Sequence, residues 1–241
     1  MFSLLVPTRG LIRLDLFKSC VESFVSKAVD KNCFEFVVTM DLDDKEHRAK
    51  VEEYFESNDY NFKIITIRRN QIEFSRDYMN HAAQCSSGKY IWALNDDVEN
   101  VTEEWDRVLK ELISAHPDPE GHLYISVDDS THTVDAAGRG ILIDSHGSCF
   151  PMLSRKSCEA MNGLFPTKVN VWGADSTLFR IFKHFPDRML RGVDYVKLLH
   201  HSHNNFTREQ DETSQTGINF SRHCSLNFPE EQVYVNMLRN S

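Results

Sequence analysis

The stretch that decides the fold is YIWALNDDVEN, residues 90–100, where an apolar run leads directly into two adjacent carboxylates. Tyr90 to Leu94 have the composition of a buried strand, and Asp96 and Asp97 follow it almost at once. Neighbouring carboxylates repel each other unless a cation or hydrogen-bond donors offset their charge. The stretch predicts either a charge-binding site at the end of a strand or an acid pair that only caps a helix or faces water.

The same alternation of strand and helix runs through the first half of the chain. Apolar runs at 2–6, 34–40 and 62–67 are separated by segments with helical periodicity, and a further helix is predicted over 74–85. Strands that alternate with helices indicate an α/β fold with a mostly parallel, Rossmann-like sheet flanked by helices.

The ends of these strands carry polar residues. The first strand ends in Thr8-Arg9, the second in Asp41 and the fourth in Asp96-Asp97. Ligands of open α/β sheets bind beyond the carboxyl ends of the strands. We therefore expect three polar clusters to converge on one edge of the sheet.

The second half is less regular. Asn100 and Glu103 predict a capped helix start after the acid pair. Strands are predicted near 123–127 and 140–143, and helices over 155–161, over 175–183 and from Pro229 onwards. We expect one domain over 1–203, followed by a mobile loop and a C-terminal helix over 204–241.

Composition and charge exclude several classes of protein. The chain has 241 residues, 41% of them hydrophobic, and a net charge of −9, which disfavours a nucleic-acid partner because such surfaces need clustered lysine and arginine. The six cysteines show no C-x-x-C spacing, so we expect reduced thiols rather than a zinc site. No signal peptide and no apolar run of membrane-spanning length is recognised, which predicts a cytoplasmic protein without a membrane span.

Five segments together resemble the family 2 glycosyltransferases of the GT-A fold, which transfer a sugar from a nucleotide-diphosphate donor. They are FSLLVPTRG (2–10), FEFVVTMDLDD (34–44), SRDYMNHAAQCSSGKYIWALNDDVE (75–99), FPMLSRKSCEAMNGLFP (150–166) and VWGADSTLFRIF (171–182). The acid motif is DXD-like but carries Asn95 at its first position. The resemblance implies a nucleotide-sugar-binding half over 1–115 and an acceptor half over 116–203.

The resemblance also implies roles for individual residues. Thr8 and Asp41 would line the nucleoside pocket, Arg76 would reach the base or diphosphate, and Asp96 would contact the ribose, with Arg9 and Asn95 on the same donor side. Asp97 would bind Mn²⁺ or Mg²⁺, which suit oxygen ligands and stabilise a diphosphate leaving group.

Asp175 has two interpretations. Its place after Gly-Ala and before Ser-Thr is typical of a helix N-cap. In the family an acid at this place deprotonates the acceptor hydroxyl, with inversion at the anomeric carbon, and the resemblance favours that role.

The cluster LHHSH, residues 199–203, ends the predicted domain. If a strand continues through it, His201 and His203 point to the same side, where they could share a metal, bind a phosphate or simply face solvent.

The resulting hypothesis is a metal-dependent hexosyltransferase that takes a sugar from a nucleotide sugar, UDP-linked by preference, to a saccharide or other hydroxyl acceptor. The polar segment 204–216 is predicted to be a mobile lid. A sugar-phosphate nucleotidyltransferase is one alternative, although 7–10 lacks the glycine-rich basic loop of that class. A non-catalytic sugar-binding module is the other.

Overall fold

A twisted, mostly parallel sheet organises the part of the chain that the computed structural model describes, residues 1–68, 75–129, 148–167, 169, 173–201 and 228–241. Its seven strands lie in the order β3-β2-β1-β4-β7-β6-β8. The strands are β1 (Phe2–Pro7), β2 (Phe34–Asp41), β3 (Phe62–Ile67), β4 (Tyr90–Ala93), β6 (Tyr124–Ser126), β7 (Met152–Ser154) and β8 (Met189–Arg191). Only β7 runs antiparallel to its neighbours.

A second, two-stranded sheet lies after the acid pair. Its strands β5 (Val98–Asn100) and β9 (Leu198–His200) are antiparallel, and Val98 pairs with His200. The chain therefore leaves the large sheet at β4, turns at Asp96 and Asp97, and enters the small sheet at β5.

Helices cover both faces of the large sheet. They are α1 (Leu14–Ser26), α2 (Lys45–Ser57), α3 (His81–Cys85, continuing a π-helical turn over Ser75–Asn80), α4 (Trp105–Ser114), α5 (Arg155–Ala160), α6 (Ala174–Phe182) and α7 (Phe228–Asn240). None of the helices in the described ranges is long and apolar enough to cross a membrane.

Alternate strand residues supply two separate cores. Leu4 and Trp92 pack toward α1, α2 and α4, whereas Leu5 and Ile91 face α3, α5, α6 and α7. Trp105 is fully buried in the first core, where its indole N–H donates to the carbonyl of Phe24. Because both faces of the sheet are covered, ligands reach the strands only at their ends.

The elements predicted from periodicity are confirmed within one or two residues wherever the structure describes them. The predicted cap at Asn100 is wrong. Asn100 belongs to β5, its side chain bonds to Ser23 and Thr102, and α4 begins only at Trp105. The strand predicted at 140–143 and the lid predicted at 204–216 lie outside the described residues.

Candidate active site

The ends of β1 and β4 meet directly, as predicted. The Thr8 hydroxyl donates to Asp96 Oδ2 over 2.8 Å, and the same hydroxyl oxygen lies 3.1 Å from Nε2 of the buried His47. Thr8 also donates its backbone N–H to the carbonyl of Thr39 near the end of β2. The first polar cluster is thus joined to the fourth strand by a side chain and to the second by the backbone.

Asp41 closes the β2 end of this edge. It is buried, accepts a hydrogen bond from the hydroxyl of Tyr78, and lies 3.8 Å from Arg9 Nε. A buried carboxylate flanked by a phenol and a half-exposed guanidinium can accept a hydrogen bond from a polar ligand at the mouth of this edge.

A tight turn brings Arg13 over the acid pair. Gly10 has a φ of 75°, a conformation that favours glycine, and its N–H donates to Asp44 Oδ2 over 2.6 Å. The chain then forms a short 3₁₀ turn over Leu11–Arg13, immediately before α1.

The guanidinium of Arg13 contacts both acids. Its Nε donates to Asp96 Oδ2 over 2.7 Å, and its Nη2 bonds to Asp96 Oδ1. The same Nη2 lies 3.3 Å from Asp97 Oδ2. Arg13 therefore makes a bidentate contact with Asp96 through Nε and Nη2, and only Nη2 also approaches Asp97.

Asp97 is held less tightly. Its Oδ1 is buried and lies 3.5 Å from Nε2 of His200, which exceeds the usual 2.7–3.2 Å of an N–H···O bond. The pairing of β5 with β9 brings this histidine to the turn, and the ring of Phe150 packs edge-on against it at 4.9 Å. The site thus presents a buried carboxylate oxygen and an imidazole nitrogen to each other.

The two acids differ in how readily they take up a proton. Burial raises the pKa of Asp96 despite the hydrogen bonds from Arg13 and Thr8. Burial opposes ionisation of Asp97 as well, but the facing His200 and the guanidinium of Arg13 outweigh it and lower the pKa of Asp97. Asp97 is therefore the acid of the pair that ionises more readily.

The structure places the remaining predicted donor-side residues around this centre. Asn95 is half-buried at the start of the turn, and its carbonyl lies 3.5 Å from the thiol of Cys20. Arg76 pairs with Asp77 at 2.7 Å and lines an open cavity of about 690 Å³ together with Arg68 and His81. The ligand roles of Asn95 and Arg76 stay predictions.

The predicted histidines do not both fall within the described residues. His201 donates its backbone N–H to the carbonyl of Asp97, but its ring lies 3.2 Å from Glu99. His203 lies outside the described residues. Within the described ranges, no three His, Cys, Asp or Glu side chains form a group that could hold a metal ion by themselves.

Asp175 occupies the first turn of α6 and is not its N-cap. Gly173 takes the cap position, and no side chain caps this end. The Asp175 carboxylate lies beside the thiol of Cys149, whose pKa is raised by burial and further by the charges of Asp129 and Asp175. The capping alternative is therefore excluded, while the catalytic role remains a prediction.

Cys149 and Phe150 connect the two candidate groups. Cys149 lies against Asp175, and Phe150 lies against His200. The fully buried Asp129 fixes this segment by accepting the Cys149 N–H over 2.6 Å. Asp175 and His200 therefore lie against neighbouring residues of one segment, which Asp129 anchors.

Sequence reasoning missed Arg13 and His200. Arg13 could have been found as the arginine closest to the first helix, on an edge where acids lack a counter-charge. His200 could not be separated from His201, because only the register of β5 against β9 decides which of them faces Asp97.

Comparison with known proteins agrees with this geometry. The family model described as "Glycosyl transferase family 2" matches residues 3–137, which is more than half of the chain. Asp175 and His200 lie beyond the matched range. No curated protein sequence matches the chain significantly.

Solved structures share the fold at low sequence identity. TarS residues 1–349 from S. aureus in complex with UDP-GlcNAc is 15% identical, with a TM-score of 0.63 over 99% of this chain and 71% of that chain. The mannosyltransferase PcManGT from Pyrobaculum calidifontis in complex with GDP-Man and Mn²⁺ is 12% identical, with a TM-score of 0.62 over 99% of this chain and 73% of that chain. These matches confirm the GT-A type of fold.

Proposed function

The chain belongs to glycosyl transferase family 2, and we propose that it is an inverting, divalent-metal-dependent glycosyltransferase that uses a UDP-sugar and Asp175 as its base. That it is a glycosyltransferase acting on a nucleotide sugar follows from the family and its GT-A neighbours. The nucleotidyltransferase and the non-catalytic module are therefore set aside. The choice of base, metal and donor is what the proposal adds.

The observation that carries the metal is the buried Oδ1 of Asp97 opposite His200 Nε2. A carboxylate suits Mn²⁺ and Mg²⁺ alike, whereas an imidazole suits transition metals better, so the pair favours Mn²⁺. When bound there, the cation would supply Lewis-acid stabilisation to the diphosphate leaving group. Asp97 and His200 would hold it. His201 and His203 are the other histidines predicted as ligands, and the ring of His201 lies 3.2 Å from Glu99.

The other residues of the carboxyl edge would bind different parts of the donor. Thr8 and Asp41, with Arg9 beside them, bound the nucleoside side, and Asp96 is oriented by Thr8 and Arg13 for a ribose hydroxyl. UDP is favoured over other nucleotides by the resemblance and by a neighbour that binds UDP-GlcNAc, although another neighbour binds GDP-Man.

Asp175 would act on the acceptor. Its carboxylate accepts the proton of the acceptor hydroxyl while the oxygen forms a bond to the anomeric carbon, and the bond from that carbon to the diphosphate oxygen breaks. The electron pair leaves with the nucleoside diphosphate. A single in-line displacement of this kind inverts the anomeric configuration.

The test is a panel of nucleotide sugars assayed with and without Mn²⁺, followed by Asp175→Asn in the productive combination. We expect Asp175→Asn to lower sugar transfer by about 10²–10⁴-fold with UDP affinity nearly unchanged, as for loss of a general base. The exposed Asp187→Asn on the turn after α6 is the matched control and should behave like the parent. Transfer by Asp175→Asn at close to the parental rate would refute the base.

A further inference from the structure

Arg13 has a position that none of the donor-site roles explains. Its side chain is only 18% exposed, and it lies over Asp96 and Asp97 with three contacts from two nitrogen atoms. A bidentate contact to Asp96 already orients the guanidinium, yet Arg13 Nη2 also lies 3.3 Å from Asp97. This one divides its charge between the proposed ribose-binding acid and the proposed metal ligand.

Among the described residues, the charges of the acid pair and of the guanidinium that contacts it do not balance. Two adjacent carboxylates carry two negative charges, and Arg13 returns one positive charge through contacts that are short to Asp96 and long to Asp97. A guanidinium within reach of Asp97 also repels any divalent cation that approaches the same carboxylate. Arg13 and the cation therefore compete for one ligand.

We propose that Arg13 is the resident counter-cation of the acid pair and that it makes metal binding depend on the donor. This inference rests on the proposed function. Without donor, Arg13 neutralises the pair and keeps the cation weakly bound. The donor diphosphate brings additional negative charge, which accommodates Arg13 and the cation together.

A structural role and a counter-cation role of Arg13 predict opposite changes in metal affinity when Arg13 is replaced. If Arg13 only holds the turn in place, its loss disorders Asp97 and weakens metal binding. If it competes with the cation, its loss leaves the acid pair without a counter-charge and strengthens metal binding in the absence of donor. The coupling between donor and metal falls in the same variant, because coupling is the ratio of the two affinities.

The experiment measures free Mn²⁺ by electron paramagnetic resonance while the full-length protein is titrated, with and without UDP. For Arg13→Gln we expect about tenfold tighter Mn²⁺ binding without UDP and about tenfold weaker coupling to UDP. Arg107→Gln, which removes the same charge from an exposed ion pair with Glu104 outside the site, should leave donor-free Mn²⁺ affinity within about twofold of the parent.

Arg13→Lys keeps the charge but cannot make the bidentate contact, so it should bind Mn²⁺ within about threefold of the parent without UDP. This variant tests the proposal even if Arg13→Gln does not fold, which thermal unfolding will reveal. The inference is overturned if Arg13→Lys changes donor-free Mn²⁺ affinity tenfold. It is also overturned if folded Arg13→Gln binds Mn²⁺ as the parent does or more weakly. Neither result contradicts the proposed donor site. Absence of Mn²⁺ binding by the parent even with UDP overturns the proposed metal dependence as well.

Discussion

Buried carboxylates occur at both ends of the parallel strands of the large sheet, which we call its amino edge and its carboxyl edge. Their surroundings differ between the two edges. At the amino edge, Glu35 accepts hydrogen bonds from the hydroxyls of Ser3 and Ser87 at 2.7 and 2.8 Å and from the Ser87 N–H, while Lys63 lies 3.0 Å from its other oxygen. At the carboxyl edge, Asp97 lies 3.3 Å from Nη2 of Arg13 and 3.5 Å from Nε2 of His200.

The difference separates a carboxylate that stabilises the fold from one that is kept for a ligand. The pKa of both carboxylates is lowered against their burial, but Glu35 owes this to short hydrogen bonds from groups that belong to the fold. The contacts of Asp97 are long, and an incoming cation could replace them at small cost. Four measurements, described from the largest expected effect to the smallest, test this difference between Glu35 and Asp97.

Glu35→Gln should lower the free energy of unfolding by about 3 kcal/mol, because the amide oxygen accepts the serine hydrogen bonds without a charge and the amide N–H₂ faces the ammonium of Lys63. Urea unfolding measures the change. Glu120→Gln, at an exposed ion pair with Lys89, is the control and should lie within about 0.5 kcal/mol of the parent. A loss below about 1 kcal/mol in Glu35→Gln would show that the amino edge is not the stabilising one.

Asp97→Asn should weaken UDP binding in the presence of Mn²⁺ by about 100-fold, or about 2.7 kcal/mol, since the amide lacks the charge that holds the cation. Its free energy of unfolding should stay within about 1 kcal/mol of the parent. Calorimetry and urea unfolding give the two values. If Asp97→Asn is as destabilising as Glu35→Gln, the two edges do not differ in the way we describe.

Acid should destabilise the fold in part through Glu35, alongside Asp97, whose pKa is also lowered. Because the pKa of Glu35 is lowered in the folded state, its contribution is complete above its ordinary pKa of 4.5 and is lost as the pH falls through the lower, folded value. The parent should therefore lose more stability than Glu35→Gln as the pH falls below about 4.5, by no more than the effect of the first test. Parallel curves of unfolding free energy against pH for the two proteins would contradict this assignment.

Lys63→Met should have the smallest effect, about 0.5 kcal/mol, because Lys63 is 42% exposed and its ion pair with Glu35 is screened by water. The serine donors, not the lysine, hold Glu35 in place. Thermal unfolding compared with Glu35→Gln checks this ranking, and an equal loss in both variants would assign the stability to the ion pair instead.

The fold was predictable because its signals are local. Strands β1 to β4 are apolar runs bounded by polar residues, and their order along the chain already implies a parallel sheet with a polar carboxyl edge. Thr8 and Asp96 were expected to converge for this reason, and they share a hydrogen bond.

The details of the site were less predictable because they depend on register and on tertiary contacts. Asn100 lies in a sequence typical of a helix N-cap, but it belongs to β5 and pairs with Leu198 of β9. Asp175 also has the sequence of a cap, yet α6 begins one residue earlier and leaves it in the first turn. The choice of His200 over His201 beside Asp97 is set by residues about a hundred positions away, which no local pattern records.

The pairing of β5 with β9 also sets an order of events during synthesis. Asp96 and Asp97 leave the ribosome about a hundred residues before His200, and Arg13 leaves it earlier still. Closing so long a loop is slow compared with local folding. A nascent chain would thus carry its acids already neutralised by arginine and without the facing histidine. We expect such a chain to capture neither cation nor nucleotide until β9 has been synthesised and has paired with β5.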